Sequence, residues 1–158
     1  MILITVGTEL PFDRLIRTVD EWARENNRTD VFAQIGEGGW EPSFIRFEHF
    51  IDPPEFSRLF ASASAIVAHA GVGTILSALR CEKPILIMPR KASLGEQRNE
   101  HQMATATRLG QFLKVGVAFD EIELREKLMH LEEFPVRPKI EAFASEGLRT
   151  AIRDFIHG

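Results

Sequence analysis

The chain has 158 residues, 44% of them hydrophobic and 27% charged, a balance that excludes disordered, fibrous and collagen-like classes. Its 19 Lys and Arg against 23 Asp and Glu leave a net charge of −4, so it lacks the positive field of a nucleic-acid binder and no nucleic-acid partner is expected. One cysteine, Cys81, excludes an intrachain disulfide and a multi-cysteine zinc site.

The first residues, MILITVG, carry no basic flank and read as a strand rather than a signal peptide. No stretch reaches the roughly 18 uncharged apolar residues that cross a bilayer. The expectation is one soluble, cytoplasmic domain spanning residues 1–158.

Ile2 to Val6 is a continuous apolar run of the kind buried on both faces of a sheet, ending at Gly7-Thr8. A helix follows, with Pro11 in its first turn and an apolar stripe of Phe12, Leu15, Ile16, Val19, Trp22 and Ala23, stopped by Asn26-Asn27. Val31 to Ile35 reads as a second strand, Gly36 to Trp40 as a glycine-rich turn, and Phe44 to Ile51 as a third strand. Pro53-Pro54 opens a short helix over Glu55 to Ala63, and Ala65 to Ala70 is a fourth strand whose glycine turn enters another helix near Gly73. Lys83-Pro84 closes that helix before a fifth strand, Ile85 to Met88. A polar loop from Pro89 to Arg98 leads to a helix over Glu100 to Leu109 and a last strand over Leu113 to Phe119. Two C-terminal helices complete the chain, the final one carrying an apolar stripe from Ile140 to Ile156. Strands alternating with helices predict an α/β domain: a Rossmann-like parallel sheet with helices on both faces. Ligands of such sheets bind at the carboxyl ends of strands, here the loops after Val6, Ile35, Ala70 and Met88.

Three constellations lie in those loops. In His69-Ala70-Gly71-Val72-Gly73-Thr74, glycines free the backbone N–H groups to face a ligand at a helix start, where the dipole favours phosphate. The spacing matches neither the Walker A pattern nor G-x-G-x-x-G, and the same glycines equally suit a plain tight turn. The loop from Arg90 to Gln102 offers cations for a diphosphate and Glu96, Asn99, His101 and Gln102 for hydroxyls; a solvated charged loop is the bland alternative. Gly7 and Thr8 lie beside both, though Thr8 equally suits a helix cap. The five histidines show no metal-site spacing, G-x-S-x-G is absent, and Cys81 reads as a small buried hydrophobe on a core helix.

Gly7-Thr8 with Phe12-Asp13-Arg14-Leu15-Ile16, the segment from His69 to Leu76, the segment from Lys83 to Arg90, and Asn99-Glu100-His101-Gln102 together resemble the carboxyl-terminal half of family 28 glycosyltransferases, most closely the Alg13-like and the PssE- or EpsF-like single-half subunits of exopolysaccharide synthesis. The resemblance implies a GT-B carboxyl-terminal domain that takes a UDP-sugar as donor substrate and needs no cofactor or metal. It places Gly71, Val72, Gly73, Thr74 and Arg90 at the donor diphosphate, Ser77, Glu96, Asn99, His101 and Gln102 at the sugar or ribose, and Gly7 and Thr8 on the cleft floor. It also implies a membrane-anchored partner of the Alg14 or PssD type, which binds a polyprenyl-diphosphate-linked glycan acceptor and holds the chain at the inner face of the membrane. One departure stands out: Ser77 occupies a position where many members carry a glutamate that clasps the ribose hydroxyls, and a serine makes one such bond rather than two. Glu82 and Glu96 are the acidic residues available to compensate.

The reaction so implied is inverting sugar transfer, with amides, a helix dipole and Arg90 or Arg98 stabilising the departing diphosphate. The base is expected from the partner, His69 and His101 being the weaker candidates within the chain. Two other readings stay open on the sequence: a non-catalytic nucleotide-binding scaffold, favoured by Ser77, and a nucleotide-sugar epimerase-like protein, which would need acid and base groups in one chain.

Overall fold

A computed structural model describes residues 1–97, 101–113 and 115–131. In chain order the elements are β1 (Ile2–Thr5), α1 (Asp13–Glu25), β2 (Val31–Gln34), β3 (Arg46–Glu48), α2 (Pro53–Ser62), β4 (Ala65–His69), α3 (Val72–Arg80), β5 (Ile85–Met88), a 3-10 turn (Ala92–Leu94), α4 (His101–Leu113), β6 (Gly116–Val117) and α5 (Glu121–Leu128). All strand pairs are parallel, in the order β3-β2-β1-β4-β5-β6.

Alternation along each strand divides the core. Ile2 and Ile4 of β1, Val67 of β4, and Leu86 and Met88 of β5 face one way, against Leu15, Ile16 and Val19 of α1 and Leu124 and Leu128 of α5. Leu3, Ile66, Ala68, Ile85 and Ile87 face the other way, against Ile75, Ala78 and Leu79 of α3 and Ala106 and Leu109 of α4. Both faces are therefore covered, which is why the central strands read as unbroken apolar runs.

Several boundaries differ from the sequence reading. Pro11 lies outside α1: Phe12 occupies the cap position and the helix starts at Asp13. The third strand shrinks from Phe44–Ile51 to Arg46–Glu48 because the Phe44 and Ile45 N–H groups donate instead to Oδ1 of Asp20, at 2.9 and 3.0 Å. Asp20 is fully buried, so a carboxylate of α1 satisfies backbone donors that a sheet ladder would otherwise take. The α2 helix starts at Pro53 rather than Glu55, because proline without an N–H fits the first turn. The α4 helix runs on to Leu113, past Leu109, and this shortens the last strand to Gly116–Val117. Cys81 is exposed at the carboxyl cap of α3, not buried within it, since its backbone already turns out of the helix. The final helix predicted from Ile140 to Ile156 lies outside the described residues.

Strand order reverses between β1 and β4, the two central strands. Loops leaving them diverge to opposite faces and open a crevice at their carboxyl ends, the place where such sheets bind ligands. Among the described residues no helix is long and apolar enough to cross a membrane.

Candidate functional site

The crevice is a cleft of about 670 Å³, within the range of small-molecule sites. Its floor is built by the ends of β1 and β4. After β1, Gly7 takes a left-handed backbone (φ 80°), and the Thr5 hydroxyl donates to Gln34 Oε1 at 2.8 Å and accepts from the Gly7 N–H at 3.3 Å. After β4, Gly71 caps α3 with φ −89° and ψ 130°, and no side chain caps that helix. The first N–H groups of α3 therefore lack partners within the helix and stand at the cleft with the positive end of the helix dipole. A Cβ built on Gly73 meets nothing within 4 Å, so the space above these amides is open.

His69 closes the floor between the two glycines. Its ring comes so near that a Cβ at Gly71 would lie 2.4 Å from Cε1, and one at Gly7 would lie 2.7 Å from Nε2. Glycine is needed at both positions for that close approach. Burial, reinforced by the Arg90 cation, pushes the His69 pKa down to about 4, so the ring is neutral at physiological pH.

Arg90 is the buried cation of the site, with 2% of its surface exposed. Its guanidinium donates to the carbonyl oxygens of Val6 (2.5 Å), Leu10 (2.6 Å) and Pro11 (2.8 Å), and it lies over the Phe12 ring. Burial lowers its pKa to about 10, countered by the charges of Glu96 and Glu9, so it stays protonated near neutrality. These bonds gather the β1–α1 loop around the end of β5. Arg14 adds a second tie: it clasps Glu96 through two 3.0 Å bonds, reaches Glu121, and donates to the Pro89 carbonyl.

Of the residues singled out from sequence, Gly7, Thr8, His69, Gly71, Gly73, Thr74, Ser77, Arg90 and Gln102 line this one cleft. Val72 instead packs with the apolar core beneath α3. Glu96 is held by Arg14 and by the Lys91 N–H, away from the cleft lining. Glu82 lies past the end of α3, and His101 is exposed at the start of α4; neither lines the cleft. Asn99 lies outside the described residues. Sequence reading missed the apolar wall of Phe50, Ile51, Pro53, Phe56 and Phe60 and the polar Gln34. Phe50 and Ile51 follow β3, which ends at Glu48; the sequence reading places both inside the third strand, so the carboxyl-end rule does not reach them. Among the described residues no group of three or more His, Cys, Asp or Glu has the arrangement of a metal site.

An all-parallel sheet in this order, with an uncapped helix start facing a cleft at the reversal point, defines a Rossmann-like domain of the type that forms the carboxyl-terminal half of GT-B glycosyltransferases. A model of the glycosyltransferase family 28 C-terminal domain matches residues 1–154, and the chain belongs to that family. UDP-sugar-dependent glycosyltransferase 52 of Dictyostelium discoideum is 29% identical over 114 residues, which are 66% of this chain and 6% of that protein. The chain thus spans a small fraction of that relative's length. Among solved structures, the solution structure of ALG13 matches with a TM-score of 0.61 at 17% identity, over 98% of this chain and 94% of that one. The calicheamicin glycosyltransferase CalG4 matches with a TM-score of 0.56 at 18% identity, over 98% of this chain and 38% of that one.

Proposed function

We propose that the chain is the donor-binding subunit of a two-component inverting glycosyltransferase, with the diphosphate of a UDP-sugar seated on the first amides of α3. The observation that carries this reading is the uncapped start of α3, open to solvent above Gly73 and set at the reversal point of the sheet. A phosphate there meets N–H donors and the helix dipole together. The apolar wall from Phe50 to Phe60 suits the flat face of a nucleobase, and Ser77, one turn along α3 from Gly73, offers a hydroxyl at the level of a ribose. As the glycosidic bond breaks, negative charge gathers on the departing diphosphate, where fixed donors stabilise it. The uridine assignment is supported by the relative whose name specifies a UDP-sugar donor.

Replacing Gly73 by valine fills the open space above the amides without touching the core. Calorimetric titration with UDP is expected to show a saturable site in the native chain and an affinity at least about tenfold weaker in Gly73→Val, equivalent to about 1.4 kcal/mol. A folded Gly73→Val chain with native affinity would remove the diphosphate from this position.

The acceptor side belongs, in this reading, to a membrane-anchored second polypeptide of the Alg14 or PssD type. It presents a polyprenyl-diphosphate-linked glycan during exopolysaccharide synthesis and keeps the chain at the inner membrane face. Glu9 is the one carboxylate among the described residues lining the cleft, and His69, with its pKa pushed down to about 4, is a weak base, which supports a general base supplied from outside. Sugar transfer is expected only when both polypeptides are mixed. Robust transfer by the isolated chain would refute the two-component reading.

A further inference from the structure

The inner edge of the cleft contains a hydrogen-bond relay whose direction is settled by chemistry. The backbone N–H of Arg90 donates to Oε1 of Gln102 at 3.1 Å. Because a backbone N–H can only donate, the carboxamide oxygen must face it, and this turns the Gln102 NH₂ group toward Nδ1 of His69, 3.1 Å away. That NH₂ group can only donate, so Nδ1 must accept. The proton of a neutral imidazole then resides on Nε2.

Nε2 is where the ring meets the cleft floor, between Gly7 and Gly71. It has no hydrogen-bond partner among the described residues, and the half-buried ring leaves it facing the cleft. Around the ring, Arg90 is the cation from the end of β5; Glu9 of the β1–α1 loop and Arg80 at the far end of α3 line the same cleft. The α4 side contributes the neutral Gln102 alone to the ring's bonding.

We propose that Gln102 is a positioning residue: it holds His69 as the neutral Nε2–H tautomer, so that the cleft floor presents a fixed hydrogen-bond donor to a diphosphate oxygen of the bound nucleotide. The proposal rests on the donor-site reading above. It adds a task to the sugar contact implied by family resemblance, since the two bonds leave one lone pair and one N–H of the carboxamide free. His69 ends β4 beside Gly71, the cap of α3, so a phosphate oxygen would be met from the strand as well as from the helix. Being neutral, the ring needs no protonation to act.

Two measurements on the full chain test this. Long-range proton–nitrogen correlation NMR of the native histidines is expected to show a protonated ε2 and an unprotonated δ1 nitrogen in His69, unchanged between about pH 6 and 8. Calorimetry with UDP over the same range is expected to follow the ionisation of the UDP terminal phosphate alone, with no added step from His69. In Gln102→Glu, one carboxylate oxygen still accepts from the Arg90 N–H, but the other cannot donate to Nδ1. The neutral ring then carries its proton on Nδ1 and turns a lone pair toward the phosphate. The variant is expected to bind UDP at least about tenfold more weakly near pH 8 and to recover affinity on acidification as the ring becomes doubly protonated. A native His69 protonated on Nδ1 would overturn the proposal, as would a folded Gln102→Glu chain with the affinity and pH profile of the native chain. If that variant fails to fold, the native NMR result decides alone. A native chain with no saturable UDP site would overturn the donor-site reading and the proposal with it, whereas a UDP site beside a δ1-protonated ring would overturn the proposal only.

Discussion

Replacing Arg90 with methionine is expected to destabilise the fold by about 3 kcal/mol, read as a lower urea midpoint with an unchanged slope. The magnitude is a difference between two larger effects. Hydrogen bonds from charged donors contribute about 1.5 to 3 kcal/mol each, and three of them, to Val6, Leu10 and Pro11, disappear together. Against that loss of about 5 to 9 kcal/mol stands the relief of uncharging a buried site. Burial pulls the Arg90 pKa down to about 10, so removing the charge offsets part of that loss. Methionine keeps the packing on Phe12, so the balance falls on the abandoned carbonyls. Those carbonyls belong to the loop carrying Gly7 and Thr8, and amide exchange from Gly7 to Leu10 is expected to quicken along with the loss of stability. Lysine at this position retains a charge but not a planar fork, and recovers part of the difference. A methionine variant within about 1 kcal/mol of the native chain would contradict this account of the loop's order.

The same residue shows how far a sequence can be read. Arg90 stands out in the chain because it follows an apolar strand and precedes a polar loop. A cation near a phosphate site is naturally assigned to the phosphate. Its guanidinium is instead engaged by carbonyls 79 to 84 positions earlier in the chain, a long-range bond that no local pattern carries. Glu96 repeats the lesson: its polar loop suggested a hydroxyl ligand, but Arg14, 82 residues away, takes both of its oxygens. Glycines were more legible, because a turn between a buried strand and a helix demands small residues wherever it occurs. Strand positions were legible as well, since a sheet covered on both faces writes continuous apolar runs such as those of β1 and β5. Strand ends were not: whether Phe44 and Ile45 join the ladder depends on the buried carboxylate of Asp20, which belongs to another element. Phe50 and Ile51 show a further gap, for an exposed aromatic after a short edge strand has no distinguishing signal until the cleft is formed around it.

Gly71 separates a glycine needed for packing from one needed for ligand access, and its replacement by alanine is expected to cost about 2 to 3 kcal/mol of stability and to abolish measurable UDP binding. Its backbone (φ −89°, ψ 130°) is open to any residue, so strain in the main chain is not the cause. The added Cβ would lie 2.4 Å from Cε1 of His69 and 2.7 Å from Nε2. Retreat of the ring is opposed by Gln102, which holds Nδ1 at 3.1 Å. Any displacement therefore breaks the relay to Arg90 and shifts the donor at the cleft floor. Gly73, only two residues on, has empty space where its Cβ would go, so there the fold should tolerate a side chain that the ligand does not. A double-mutant cycle tests the mechanism directly. In a His69→Ala background the clash is gone, and Gly71→Ala should then cost less than about 1 kcal/mol, the residue of exchanging a glycine helix cap for alanine. The expected coupling is at least about 1 kcal/mol, with the alanine at 71 and the missing ring compensating one another in stability though not in UDP affinity. Additive effects in the cycle would show that the imidazole and Gly71 do not constrain each other, and the arrangement of the cleft floor described above would be wrong.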